Sequence, residues 1–243
     1  MAFVIRRKDK LVVLDYGAYK LYIELTIFDS FFNLKDFVIK NLKDVGDIDD
    51  KDFQAKGVGF VAIVSDNSLA QSVKKIKDNK DRVDVKLPEM PVLTEDEPLE
   101  NLIKTTSYLS SLERFCKQKR CALFFTKGAY SPFEGVEVKI LGKDESYLVI
   151  VEFEHIKTGI IIGTYSKEIA AKIGELDVVI GDGLNLVDAV EEFNPVYLVL
   201  IGHVDEYKAK TGVASIEQSK NLKVSIKRDQ RDIMGLKTVY LEA

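Results

Sequence analysis

Residues 58–78 read VGFVAIVSDNSLAQSVKKIKD. Val58 to Val64 is an unbroken stretch of core-type residues, and its length suits a fully buried strand that ends at Ser65. A helix is expected from about Ser68. Between them lies a short polar turn, the kind of strand-to-helix junction where α/β enzymes place their chemistry. Whether this turn is an active site decides both fold and function.

Outward from it, "AFVIRR" and "LVVLD" flank the tight turn "KDK" and read as a hairpin. "KLYIELTIF" alternates Leu21, Ile23, Leu25 and Ile27 against Tyr22, Glu24 and Thr26, which predicts a strand with one buried face. Asp29 or Ser30 should cap a helix through about Lys43, with Phe31, Leu34, Val38 and Leu42 at helical spacing. Asp47, Asp49, Asp50 and Asp52 crowd the next loop. They lack the glycine and terminal glutamate of a calcium loop, so a solvated acidic segment is the plainer account.

"PEMPVLTEDEP" is proline-rich, acidic and aperiodic, and reads as an exposed connection. An amphipathic helix follows over Leu99 to Gln118. "CALFFT", "GVEVKIL", "SYLVIVEFE" and "GIIIGT" are four strands in close succession. The helix "SKEIAAKIGEL" should lead into the strand "DVVIG", and the helix "LNLVDAVEEF" into "VYLVLIG". "LKVSIKR" and "KTVYLEA" close the chain. Helices and strands do not alternate throughout, which excludes a uniformly parallel doubly wound sheet. The order fits an α/β (α+β) αββα sandwich: two mixed, largely antiparallel sheets face to face, with helices on the outer faces.

At 243 residues the chain is long enough for a sizeable core. Charged residues reach 30%, dominated by Lys, Glu and Asp, with no Trp; the balance resembles that of heat-adapted proteins. A net charge of −4 argues against a global pull toward nucleic acid. Cys116 and Cys121 are expected as reduced thiols. "MAFVIRRKDK" has no apolar core of a signal peptide, and no apolar run approaches a membrane span. A cytoplasmic protein is the expectation.

Four segments together resemble the metallo-β-lactamase superfamily. "FVIRRKDKLVVLDYGA" resembles its first hairpin, where a strand ends in Asp followed by Gly. "VAIVSDNSLAQSVKKI" sits where that family has a buried strand, then T-H-x-H-x-D-H, then a helix. "SYLVIVEFEHIKTGIIIGTYS" resembles the central hairpin that ends in a bridging Asp. "LDVVIGDGLNLVDAVEEFNPVYLVLIGH" resembles the final αβ unit that ends in a His ligand. The resemblance implies one domain over 1–243, with an insertion or linker at 88–120.

The ligand positions depart from it. Asp66 and Ser68 stand at the first two His positions, Ala70 and Gln71 at the Asp and third His, and Thr164 near the bridging Asp. Only His203 keeps a ligand-type residue, and the chain has just two His, His155 and His203. A family-type dinuclear site needs more imidazole than that. The resemblance therefore implies a degenerate member without the metal, and no cofactor motif is present.

Four polar groups end strands: Asp15, Asp66, Asp182 and His203. If they share one cleft, Asp66, Asp182 and His203 are candidate catalytic groups, and Asp15, Asp66 and His203 candidate metal ligands. The plainer account makes them caps and turn residues. His155 falls in a hairpin turn, and Gly181-Asp182-Gly183 is too short for a dinucleotide fingerprint. Lys223, Lys227, Arg228 and Arg231 make the tail basic and are candidate nucleic-acid contacts, as is the cluster Lys74, Lys75 and Lys77, although interleaved acids and the lack of a stacking aromatic make solvated faces the plainer account. The leading expectation is a non-catalytic interaction or scaffold protein, with a protein partner or a second copy of itself. The alternatives are a phosphoester hydrolase or nuclease-like enzyme with a rearranged site, and a nucleic-acid accessory factor.

Overall fold

The computed structural model describes residues 2–28, 37, 40, 57–65, 114, 121–125, 127–227, 231 and 233–243. Asp66, Ser68, Gln71, the lysines at 74, 75 and 77, the 88–120 connection except Arg114, and Arg228 lie outside them.

Fourteen strands among these residues form two sheets. The first sheet contains β1 (Ala2–Lys8), β2 (Leu11–Asp15), β3 (Tyr19–Phe28), β4 (Gly57–Val64), β5 (Cys121–Phe124) and β13 (Asn221–Ser225). Its order is β13-β1-β2-β3-β4-β5. The second contains β6 (Gly128–Phe133), β7 (Val136–Lys143), β8 (Ser146–Phe153), β9 (Ile156–Gly163), β10 (Val178–Gly181), β11 (Tyr197–Leu200), β12 (Glu217–Ser219) and β14 (Lys237–Leu241), in the order β12-β14-β11-β10-β9-β8-β7-β6. Helices α1 (Lys167–Ala170), α2 (Gly183–Phe193) and α3 (Val204–Thr211) follow β9, β10 and β11.

Side-chain alternation builds the layers. Phe3, Ile5, Val12, Leu14, Leu21 and Ile23 meet Val149, Val151, Ile160, Val178, Ile180 and Val199 in the core between the sheets. The opposite faces of the same strands, Leu148, Ile150, Val179, Leu198 and Leu200, pack under Leu186, Ala189 and Phe193 of α2. On the first sheet Tyr22, Phe60, Ala62 and Val64 turn outward to meet Phe37. Each fully buried aliphatic or aromatic side chain contributes roughly 1.5–3 kcal/mol of transfer free energy. This is the expected αββα arrangement of two mixed sheets.

Several details differ from the sequence expectation, among them the helix α3 and the short strand β12, neither of which was expected. "GAYSPF" is an extra strand, β6, whose Pro132 is tolerated because β6 is a sheet edge. The helix expected over "SKEIAAKIGEL" is a single turn: the Ser166 side chain makes no capping bond, and Gly174 has φ +76°. β13 returns to the first sheet while β14 stays in the second, although they are neighbours in sequence. Among the described residues no helix is long and apolar enough to cross a membrane.

Strand direction fixes which ends meet. β3 and β4 are parallel, with Phe28 opposite Val64, and Ser65 N–H donates to the Phe28 carbonyl (2.8 Å). A Cβ on Gly163, at the end of β9, would lie 3.0 Å from Ile27. β9, β10 and β11 are parallel to one another. The carboxyl ends of β3, β4, β9, β10 and β11 therefore share one rim.

Candidate functional site

Asp182 directly follows β10, and His203 is the third residue after β11, the two strands being parallel neighbours. Asp182 is the N-cap of α2; its Oδ1 accepts from Leu184 N–H at 3.0 Å. Its Oδ2 lies 2.6 Å from His203 Nδ1. A carboxylate only accepts, so Nδ1 carries the proton and Nε2 is the free ring nitrogen when the imidazole is neutral. His203 is itself the N-cap of α3, at φ 47°, and its carbonyl accepts from Tyr207 N–H at 3.0 Å. The hydrogen bond and charge of Asp182 raise the His203 pKa above the ordinary imidazole value, and Glu206 adds to it.

Gly183 sets the approach of the two loops. Its N–H donates to the Gly202 carbonyl at 3.0 Å, and a Cβ there would lie 2.4 Å from the His203 carbonyl oxygen. No side chain larger than hydrogen fits without movement. Asn185, one turn into α2, locks the neighbouring strand end. Its Nδ2 donates to the Gly163 carbonyl (2.8 Å), and its Oδ1 accepts from Tyr165 N–H (3.1 Å). Thr164, where the bridging Asp would stand, shares a 2.8 Å hydrogen bond with Ser146.

Asp15 is not at this rim. It lies opposite Lys20, near the start of β3, and the adjacent Tyr16 ring meets Phe153 in a tilted pair, 4.5 Å between centroids, beside the start of β9. It belongs to the opposite end of the sandwich. There its Oδ1 accepts from Gly17 N–H at 2.9 Å, and its Oδ2 lies 3.7 Å from Lys20 Nζ and 3.6 Å from Arg6. The expectation that Asp15 joins Asp182 and His203 in one cleft fails because β2 runs antiparallel to β3. The acid that follows the rim-directed strand in sequence is Asp29, just after β3. Asp66 follows Ser65 in sequence, at the end of β4, and lies outside the described residues.

His155 also lies at the far end. Its Nε2 donates to the Ile226 carbonyl at 3.2 Å. Arg231, a candidate phosphate contact in the sequence, is turned inward. It donates to Asp177 Oδ1 (2.8 Å), Glu175 Oε2 (2.6 Å) and the carbonyls of Asn194 (3.1 Å) and Leu176 (3.4 Å). Asp177 also accepts from Lys157 N–H at 2.8 Å, so the cluster is a structural clamp beneath β10. Lys223 and Lys227 are exposed on and just after β13.

No known family profile matches the chain, and no curated protein matches it in sequence. Solved structures do. One is a protein of Thermotoga maritima assigned as a Zn-dependent hydrolase of the metallo-β-lactamase superfamily; it shares 12% identity and a TM-score of 0.52, covering 99% of this chain and 100% of the other. The chain has a metallo-β-lactamase fold. A metallo-β-lactamase fold protein from Bacillus subtilis, YhfI, shares 10% identity at a TM-score of 0.46, over 100% of this chain and 97% of that one.

A dinuclear centre of the kind a metallo-β-lactamase fold implies does not fit the residues of this rim. Such a centre needs several neutral imidazoles with carboxylates between them. This chain has two His in all, and they stand at opposite ends of the sandwich. Both oxygens of Asp182 are already engaged, by Leu184 N–H and by His203. Among the described residues no three His, Cys, Asp or Glu side chains converge as a metal-binding group.

Gly183 stood out only as part of the Gly181-Asp182-Gly183 turn, and Asn185 and Glu206 had no sequence signal that set them apart. Their roles depend on β10 and β11 being parallel neighbours.

Proposed function

We propose that this protein is a non-catalytic binding or scaffold protein built on a metallo-hydrolase-type fold. The observation that carries this is the Asp182–His203 pair, which closes on itself across two helix N-termini at the rim where the fold places metal. Both residues are committed to holding α2 against α3. A carboxylate on Nδ1 still leaves Nε2 open, but one nitrogen with no group of ligands around it among the described residues is not a ligand set. Screens with phosphodiester, phosphomonoester and lactam substrates, with zinc or manganese supplied, should give no turnover that His203→Ala removes. Turnover lost in that variant would sink the proposal.

The same pair favours a second reading, a metal-independent hydrolase. His203 is about half exposed, with its side chain 51% accessible, and Asp182 orients it as a carboxylate orients a general base. In that case Nε2 takes a proton from water or a substrate hydroxyl. The rate would rise with pH through a His203 titration displaced upward from the ordinary imidazole value. A pH-independent rate would remove this reading.

A further inference from the structure

We propose that the β13–β1 edge of the six-stranded sheet is a docking surface for the phosphate backbone of double-stranded nucleic acid, with Lys220, Lys223 and Lys227 as the phosphate contacts. This surface lies along the side of the sandwich and does not depend on the chemistry of the Asp182–His203 rim.

Charge segregation is the first argument. Residues 2–8 and 220–227, which pair as β1 and β13, hold six of the chain's 35 cations and none of its 39 acids. Among the described residues that leaves 14 cations against 20 acids elsewhere, so a basic edge sits on a more acidic body. A polyanion is attracted to one side and repelled from the rest, which orients it.

Availability is the second. Arg231, Arg6, Lys20, Lys143 and Lys172 are all engaged with carboxylates. Lys220, Lys223 and Lys227 are exposed, and none has an ion pair among the described residues. Leu222, Val224 and Ile226 point inward between them, which leaves Lys223 and Lys227 on the outer face. Four residues of extended chain separate those two by roughly 13 Å. That is close to the ~12 Å width of a B-form major groove, so the two amines match phosphates on its two sides.

The same edge argues against a single strand. Phe3 is the one aromatic in the two segments, and it is buried, so no base can stack there. Among the described residues β13 has no strand partner on its outer side, and lysine on an edge strand also discourages edge-to-edge association. The two roles give different results on mutation.

Fluorescence anisotropy with a labelled mixed-sequence duplex, and with its single strand, separates them. The duplex should bind at low salt, more tightly than the single strand, with a log–log salt slope of about −2 to −3 for three phosphates. The combined variant Lys220→Gln, Lys223→Gln, Lys227→Gln should lose roughly tenfold or more. Lys223→Glu alone should weaken binding in the same direction, and Lys210→Gln on α3 should leave it unchanged. No duplex binding at low salt would overturn the proposal, as would preference for the single strand or unchanged affinity in the combined variant. If that variant keeps its affinity but self-associates on gel filtration, the lysines serve only to keep edges apart.

Discussion

Asp182 serves two partners at once. One oxygen caps α2 and the other holds His203. The two roles separate by substitution. Asp182→Asn keeps a good N-cap and removes the charge; Asp182→Ala removes both. The cap is worth about 1 kcal/mol, so Asp182→Ala should be the less stable of the two by that amount in chemical denaturation. The charge has a pH signature. Because the His203 pKa is raised in the folded state, its pairing contributes stability that is fully present below the unfolded value of about 6.5. That contribution disappears as pH rises through the folded pKa. The stability gap between wild type and Asp182→Asn should therefore be widest at acid pH and close on the alkaline side. A gap that widens with pH would refute the pairing. Gly183→Ala should cost about 1–3 kcal/mol, since the new methyl meets backbone oxygens that cannot swing away. It should also move the His203 ring resonances in an NMR spectrum.

At the scale of elements, the clamp beneath β10 carries the clearest stability prediction. Arg231→Met removes four hydrogen bonds to two carboxylates and two carbonyls. It leaves Asp177 buried without its guanidinium. The expected loss is about 1–3 kcal/mol, seen as a lower denaturation midpoint with an unchanged slope. Unchanged stability would return Arg231 to the role of a surface cation. The strands themselves were legible in the sequence, because alternation such as Leu21, Ile23 and Leu25 against Tyr22 and Glu24 is a local signal. The helix after β10 was legible too, from Asp182 ahead of it and Asn194-Pro195 behind it; Asn194 does adopt the left-handed cap, at φ 44°. What failed was length and neighbourhood. α1 stops after one turn, and Arg231 looked like one of a run of cations until its partners came from residues 175 to 194.

For the whole molecule, the layout of a metallo-β-lactamase-fold sandwich could be read from the order of elements, because hairpins and helix–strand units follow each other along the chain. The composition of the rim could be read only in part. His203 and Asp182 meet, each as the N-cap of a helix. Asp15 does not join them, because which end of a strand faces the rim depends on pairing with residues far away in sequence. The central claim remains a compositional one: two His in 243 residues, one at each end, cannot furnish a dinuclear centre. Its most direct test is elemental analysis of the protein purified without chelator from zinc-, iron- and manganese-supplemented growth. The account predicts less than stoichiometric metal, unchanged in His203→Ala. One or more equivalents of a transition metal per chain, lost in His203→Ala, would contradict it.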